Sequence, residues 1–166
     1  MSVGGPGTTN ETSTTLLIGV GHEQRGDDAV GLLVARRLAG RSPALRVVEH
    51  GGDGMDLVFA WEGAQRVVLV DAVVSGERPV GEVHRFEAHD RPLPAALFSA
   101  TSTHALGVAE AIELARATER LPERLVVYGV ESASFATGAA PQPRVVEAAA
   151  SVAARVLDEI AEPADA

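Results

Sequence analysis

The stretch LLIGVGHEQRGDDAVG, residues 16–31, decides the fold of this chain. It begins with an apolar run, passes through a Gly-Val-Gly turn and a polar loop, and reaches Asp27 and Asp28 directly before an apolar helical pattern. This order predicts a strand, a turn that glycine permits, and a helix that begins with two acids. It therefore predicts a site at the carboxyl end of a strand, where open α/β sheets bind their ligands.

The two adjacent acids allow two interpretations. Asp27 is a good N-cap residue, and Asp28 in the first turn would offset the positive end of the helix dipole. Alternatively, Asp28 is an exposed carboxylate that the dipole and backbone N–H groups keep ionised. Such a carboxylate at a cleft could bind a metal or act as a base, so Asp28 is a candidate functional residue while Asp27 is expected to cap.

The glycines of the same stretch argue against a nucleotide site. A strand followed by Gly19-x-Gly21 begins a dinucleotide fingerprint, but Gln24 stands where the third glycine should be. No Gly-Lys-Ser/Thr step follows, so a phosphate-binding P-loop is excluded. A nucleotide-binding α/β protein remains only a poor alternative.

Composition narrows the class of protein. The chain has 166 residues, 46% of them hydrophobic and 22% charged, which suits one ordinary globular domain. The formal net charge of −9 and the lack of a basic stripe make nucleic acid an unexpected partner. The absence of cysteine excludes disulfides and thiolate chemistry. No signal peptide or membrane-spanning run is evident, so we expect a cytoplasmic protein without a membrane partner.

Strand-like and helical patterns alternate along the chain. Strands are predicted at residues 16–21, 45–49, 66–72, 81–87 and 123–130, and helices at residues 28–38, 53–61, 103–118 and 143–160. Residues 88–102, with two prolines, are expected to form an irregular loop. The fold class is therefore α/β: a single domain at residues 15–161, built as a three-layer sandwich with a twisted, mostly parallel five-stranded sheet between helices. Residues 81–87 should form an antiparallel edge strand, while 1–14 and 162–166 should be a disordered extension and a frayed tail.

Residues distant in sequence should meet at one edge of this sheet. Asp71 and Glu131 end two strands that we expect to be parallel, Asp28 opens the first helix, and His104 opens the predicted helix 103–118. A helix N-terminus disfavours imidazolium, so His104 should stay neutral and able to bind a metal. Asp28, Asp71 and His104 together suit a borderline divalent ion such as nickel or zinc. Glu131 is expected to anchor a turn.

Other histidines are weaker candidates. His50-Gly51-Gly52 resembles an oxyanion loop, but the chain has no Gly-x-Ser-x-Gly elbow, so a serine hydrolase is not indicated. His84 and His89 are expected to be solvated surface residues.

Four segments resemble the hydrogenase maturation proteases, endopeptidases that trim the C-terminal extension of nickel-iron hydrogenase large subunits. They are GVGHEQRGDDAVG (19–31), VVLVDAV (67–73), STHALG (102–107) and YGVESASFATG (128–138). The resemblance implies a cytoplasmic endopeptidase whose partner is the large-subunit precursor. It further implies that nickel already inserted in that precursor is the recognition signal, and that Asp28, Asp71 and His104 contact it. A nickel-binding assembly factor without proteolytic activity is the alternative.

The chain departs from the family pattern at two places. Many members have asparagine where this chain has His22, and many have an acid in an Asp-Gly step before the second helix. Here that stretch reads Glu49-His50-Gly51-Gly52-Asp53, so the acid is displaced. Either Asp53 replaces that acid as a catalytic residue, or its function is lost.

Overall fold

A computed structural model describes residues 14–99 and 103–162 of the chain. The predicted extension 1–14 and tail 162–166 lie outside this part, apart from Thr14 and Glu162. The strands are β1 (Thr15–Val20), β2 (Leu45–His50), β3 (Arg66–Val73), β4 (Val83–Glu87) and β5 (Arg124–Glu131). The helices are α1 (Val30–Leu38), α2 (Gly54–Ala60), α3 (Ala95–Ser99), α4 (Val108–Ala117) and α5 (Pro143–Ala161), and a single 3-10 turn, Gly26–Ala29, precedes α1.

The five strands form one sheet in the order β2-β1-β3-β5-β4. The pairs β1–β2, β1–β3 and β3–β5 are parallel, and β4 lies antiparallel to β5 at the edge. The predicted α/β class, the mostly parallel sheet and its antiparallel edge strand are therefore confirmed. The apolar run at residues 66–72 forms the central strand β3, as expected for a strand that is buried on both faces.

Two apolar clusters cover the two faces of the sheet. Alternate residues of β1 supply both: Leu16 and Ile18 pack with α2, α3 and α4, whereas Leu17 packs with α1 and α5. Two glycines, Gly19 and Gly31, permit close contact between β1 and α1. A Cβ on Gly19 would lie 2.1 Å from the carbonyl oxygen of Gly31, so the backbones of β1 and α1 touch where any larger residue would separate them.

Two sequence-based predictions about local structure are wrong. The loop 88–102 contains the short helix α3, whose Phe98 is buried in the core and holds the segment against the sheet. The helix predicted at 103–118 begins only at Val108. The carbonyl of Leu106 accepts a 2.9 Å hydrogen bond from the N–H of Gly54, at the start of α2. That contact holds the chain before Gly107 away from helical geometry.

The helix predicted at 28–38 also starts later, because residues 26–29 form the 3-10 turn. The other predicted bounds lie within two residues of the observed ones, and several coincide. Within residues 14–99 and 103–162, no helix has the length and apolar character needed to cross a lipid bilayer.

Candidate functional site

A small cleft lies at the carboxyl ends of β1 and β3. This is the sheet edge that the sequence predicted, because parallel strands bring their carboxyl ends together. Loops after β1 and β2, the end of β3 and the segment before α4 line it. Its lining includes three of the predicted site residues, together with a second histidine and several small or apolar residues: Val20, Gly21, His22, Asp28, Gly51, Gly52, Asp71, Phe98, Thr103, His104 and Val108.

Asp28 reaches the cleft through the 3-10 turn that precedes α1. Gly21 has φ +155°, and a Cβ there would lie 1.9 Å from the carbonyl oxygen of Asp28, so glycine is required for this approach. Asp28 is buried, with 3% of the residue exposed, so the interpretation of an exposed carboxylate is wrong. Burial raises its pKa, although Arg25, whose Nη1 is 3.4 Å from Oδ2, and His22 oppose that effect.

Asp71 lies in β3, two residues before its end, and is also buried. Its Oδ1 accepts a 2.8 Å hydrogen bond from the N–H of Ala72. Burial raises the pKa of Asp71 well above its usual value, and the negative charge of Asp28 raises it further. Asp28 and Asp71 are therefore two neighbouring carboxyls that each bind a proton more readily than a solvated aspartate does.

His104 reaches the cleft from a bend before α4 and not from a helix, so the prediction that it opens a helix is wrong. The prediction from the helix dipole therefore does not apply to His104. Its Nε2–H donates a 3.2 Å hydrogen bond to the carbonyl of Gly51. Its Nδ1 lies 3.8 Å from Oδ2 of Asp53.

Asp53 stands beside His104 and has a structural task as well. It is the N-cap of α2, and its Oδ1 accepts a 3.2 Å hydrogen bond from the N–H of Asp56. Half of its side chain is exposed. His50 shapes the neighbouring turn, because its Nδ1 accepts a 2.9 Å hydrogen bond from the N–H of Gly52. Burial lowers the pKa of His50, which favours this neutral, accepting form.

The cleft thus brings Asp28, Asp71 and His104 into one lining, with Asp53 at its margin. In the part of the chain that the structure describes, no three histidine or acidic side chains are close enough to hold one metal ion as they stand. The assignment of these residues to nickel and to catalysis stays a prediction. Sequence reasoning did not include His22 in the set, although the strand-loop-helix order that pointed to Asp28 also contains it.

Asp27, the neighbour of Asp28, does not cap the helix that follows it, so the prediction of an N-cap is wrong. The 3-10 turn and α1 have no side-chain cap, and the carboxylate of Asp27 points instead to the loop between β5 and α5. Its oxygens accept hydrogen bonds of 2.7–3.0 Å from the backbone N–H groups of Ala133, Ser134 and Gln142 and from the side chain of Gln142. Burial tends to raise the pKa of Asp27, but these four donors lower it below the usual value.

Glu131 and the histidines near β4 have structural roles. Glu131 anchors a turn, as predicted, because its Oε2 accepts a 3.1 Å hydrogen bond from the N–H of Ser75. The prediction that His84 and His89 are simply solvated is wrong. Nε2 of His84 lies 2.9 Å from Oε1 of Glu131, and Nδ1 of His89 accepts a 3.2 Å hydrogen bond from the N–H of Leu125.

Comparison with known proteins agrees with this architecture. The hydrogenase 2 maturation protease of Escherichia coli strain K12 is 27% identical over 118 residues, covering 69% of this chain and 71% of that protein. The fold resembles the solved structure of the hydrogenase maturating endopeptidase HybD of E. coli, with a TM-score of 0.75, 24% identity and 89% and 92% of the two chains covered. The solved structure of the hydrogenase maturation protease HycI of Thermococcus kodakarensis matches with a TM-score of 0.67 and 24% identity. The match covers 90% of this chain and 94% of that chain.

A family model described as hydrogenase maturation protease, HycI, matches residues 32–159. The matched range includes Asp53, Asp71 and His104 and begins just after Asp28. It covers most of the chain and contains every strand except β1. The chain therefore belongs to the hydrogenase maturation protease family.

Proposed function

We propose that this chain is an endopeptidase that removes the C-terminal extension of a nickel-iron hydrogenase large-subunit precursor after nickel insertion. Membership of the protease family supports the peptidase chemistry. The observation that carries the proposal is the cleft that Asp28, Asp71 and His104 line together. In the proposal, these side chains contact the nickel of the precursor and fix the scissile bond beside it.

The nickel belongs to the substrate in this proposal. Two carboxylates and one imidazole make an open and weak site for a borderline ion. A tight resident site would need more imidazole and an ordered outer shell of hydrogen bonds. A cation brought by the precursor would also favour the charged forms of Asp28 and Asp71, whose pKa values are raised by burial.

Peptide hydrolysis also needs a base that activates water. Asp53 is the carboxylate nearest to His104 and is half exposed, so it can accept a proton from water at the margin of the cleft. In the proposed step, the oxygen of a water molecule bonds to the scissile carbonyl carbon while Asp53 takes a proton from that water. The carbon–nitrogen bond then breaks, and the proton passes to the leaving amine.

The intact mass of the precursor tests the function. We expect nickel-loaded precursor to lose its C-terminal extension on incubation with this protein, and nickel-free precursor to stay intact. If the loaded precursor binds the protein but keeps its full mass, the chain is an assembly factor without proteolytic activity.

His104→Ala tests the assigned site in the same assay. We expect cleavage of nickel-loaded precursor to slow by about 100-fold or more, because misplacing a reacting bond by about 1 Å can cost that much. The far-UV circular dichroism should not change, since the side chain of His104 is about one third exposed. Cleavage at the native rate would reject the assignment.

Asp53→Asn should slow cleavage by about 100-fold while leaving precursor binding intact, because the amide cannot act as a base. Asparagine caps helices as well as aspartate does, so the stability of α2 should be preserved. Asp56→Asn is the matched control, since it removes the same charge from an exposed position one turn further along α2. Normal cleavage by Asp53→Asn would exclude Asp53 as the base.

A further inference from the structure

His22 lies between the two halves of the candidate site. It follows β1 in the chain, and its ring lines the same cleft as Asp28, Asp71 and His104. On one side, its backbone N–H donates a hydrogen bond to the carboxylate of Asp28. On the other side, its ring faces the ring of His104 at a centroid distance of 6.2 Å and an interplanar angle of 34°. It therefore touches Asp28 through its backbone and lies beside the imidazole of His104.

The distance between the two rings is compatible with one shared ion. An ion bonded to an imidazole nitrogen at about 2.1 Å lies about 3.2 Å from the ring centroid, so two imidazoles on one ion have centroids at most about 6.5 Å apart. The 6.2 Å between His22 and His104 is within that limit. To share one ion, the two rings would have to turn from their present partners, because Nε2 of His22 faces the hydroxyl of Thr103 and Nε2 of His104 donates to the carbonyl of Gly51.

The contacts of His22 distinguish it from the histidines that serve structure. His84 is paired with buried Glu131, and His89 accepts a backbone hydrogen bond within the sheet. Nε2 of His22, by contrast, has a long 3.4 Å contact to the hydroxyl of Thr103, another residue of the cleft. A hydroxyl at this distance is easily displaced by an ion.

We propose that His22 supplies a second imidazole ligand to the divalent ion that Asp28, Asp71 and His104 face. The site then offers two carboxylates and two imidazoles, a donor set suited to Ni²⁺ and to related borderline ions. The source of the ion, nickel carried by a precursor, rests on the proposed function. The contact between His22 and the ion can be tested without the precursor.

The experiment is an isothermal titration of the untagged full chain with Ni²⁺ alone. The variants are His22→Asn, His104→Asn and the matched control His89→Asn, whose asparagine can still accept the N–H of Leu125. We expect His22→Asn and His104→Asn each to weaken Ni²⁺ binding by about tenfold or more, the scale of effect seen when the surroundings of a metal are altered. His89→Asn should bind as the native chain does. Circular dichroism checks that each variant is folded.

Two results would overturn the inference. One is a folded His22→Asn variant whose Ni²⁺ affinity stays within about twofold of native while the Ni²⁺ affinity of His104→Asn falls. The other is no binding by the native chain at about 1 mM Ni²⁺, because four such donors in one cleft should bind at that concentration. Native protein that binds Ni²⁺ through His22 and leaves nickel-loaded precursor intact would instead reject the proteolytic function and keep the His22 contact.

Discussion

Asp71→Asn is expected to abolish precursor cleavage and at the same time to raise the melting temperature of the protein. Asp71 is buried beside Asp28, so a second negative charge there destabilises the folded state. Asparagine keeps the oxygen that accepts the N–H of Ala72 and removes the charge. We expect cleavage to fall by about 100-fold or more. The melting temperature should rise by roughly 2–4 °C, the shift that about 1 kcal/mol produces in a chain of this size.

The stability gain should depend on pH in a defined direction. The pKa of Asp71 is raised in the folded protein, so the native carboxyl costs no free energy below its ordinary value of 3.8. The cost appears as pH rises above that value toward the raised pKa, because the unfolded chain ionises first. Melting curves of native protein and Asp71→Asn should therefore coincide near pH 3.5 and separate toward neutrality. A variant that is less stable than native at neutral pH would contradict this account.

Asp27→Asn should have the opposite consequence, a large loss of stability. The carboxylate of Asp27 is fully buried and accepts four hydrogen bonds from the loop before α5. Asparagine keeps one oxygen and turns a buried N–H₂ group toward at least one of the backbone N–H groups, which then loses its acceptor. We expect the free energy of unfolding to fall by about 3 kcal/mol, since each unsatisfied buried group costs about 1–3 kcal/mol. The melting temperature should fall by roughly 6–12 °C.

Asp28→Asn is the matched control, because it makes the same chemical change one residue away. Its carboxylate has a single backbone donor and a raised pKa, so its amide should leave stability near native or slightly higher while cleavage is lost. The Asp27 contribution also has a pH limit. Its pKa is lowered, so its stabilisation is present above the ordinary value of 3.8 and is lost as pH falls through the lower, folded value. Equal stabilities of the two variants at pH 7 would contradict the division of roles between these neighbours.

These paired predictions describe one design of the site. The structure keeps two carboxyls buried at the end of β1 and β3 at a cost in stability, and other contacts of the same loops offset that cost. Asp27 stabilises the loop after β5, while Asp28 faces the cleft from the same turn. Functional sites commonly store such destabilisation, because a charge that is fully solvated cannot also interact strongly with a substrate ion.

Local patterns in the sequence were sufficient for the layers of the fold. The continuous apolar run of β3, the alternation of strands with helices, and the antiparallel pairing of β4 could each be read from residue type and spacing. The meeting of Asp28, Asp71 and His104 at one edge also followed, because parallel strands end together. These features depend on which residues are buried and on the order of strands and helices, and both can be predicted from the spacing of apolar residues.

Tertiary contacts decided the rest, and they involve partners distant in sequence. His104 stands outside a helix because the carbonyl of Leu106 accepts its hydrogen bond from Gly54, a residue of another element. Asp27 binds the loop before α5 and does not cap a helix, because its four donors lie more than 100 positions further along the chain. The contact of His22 with both Asp28 and His104 depends on the same packing. A hydrogen bond goes to whichever partner the folded chain brings within reach, and no local pattern records that choice.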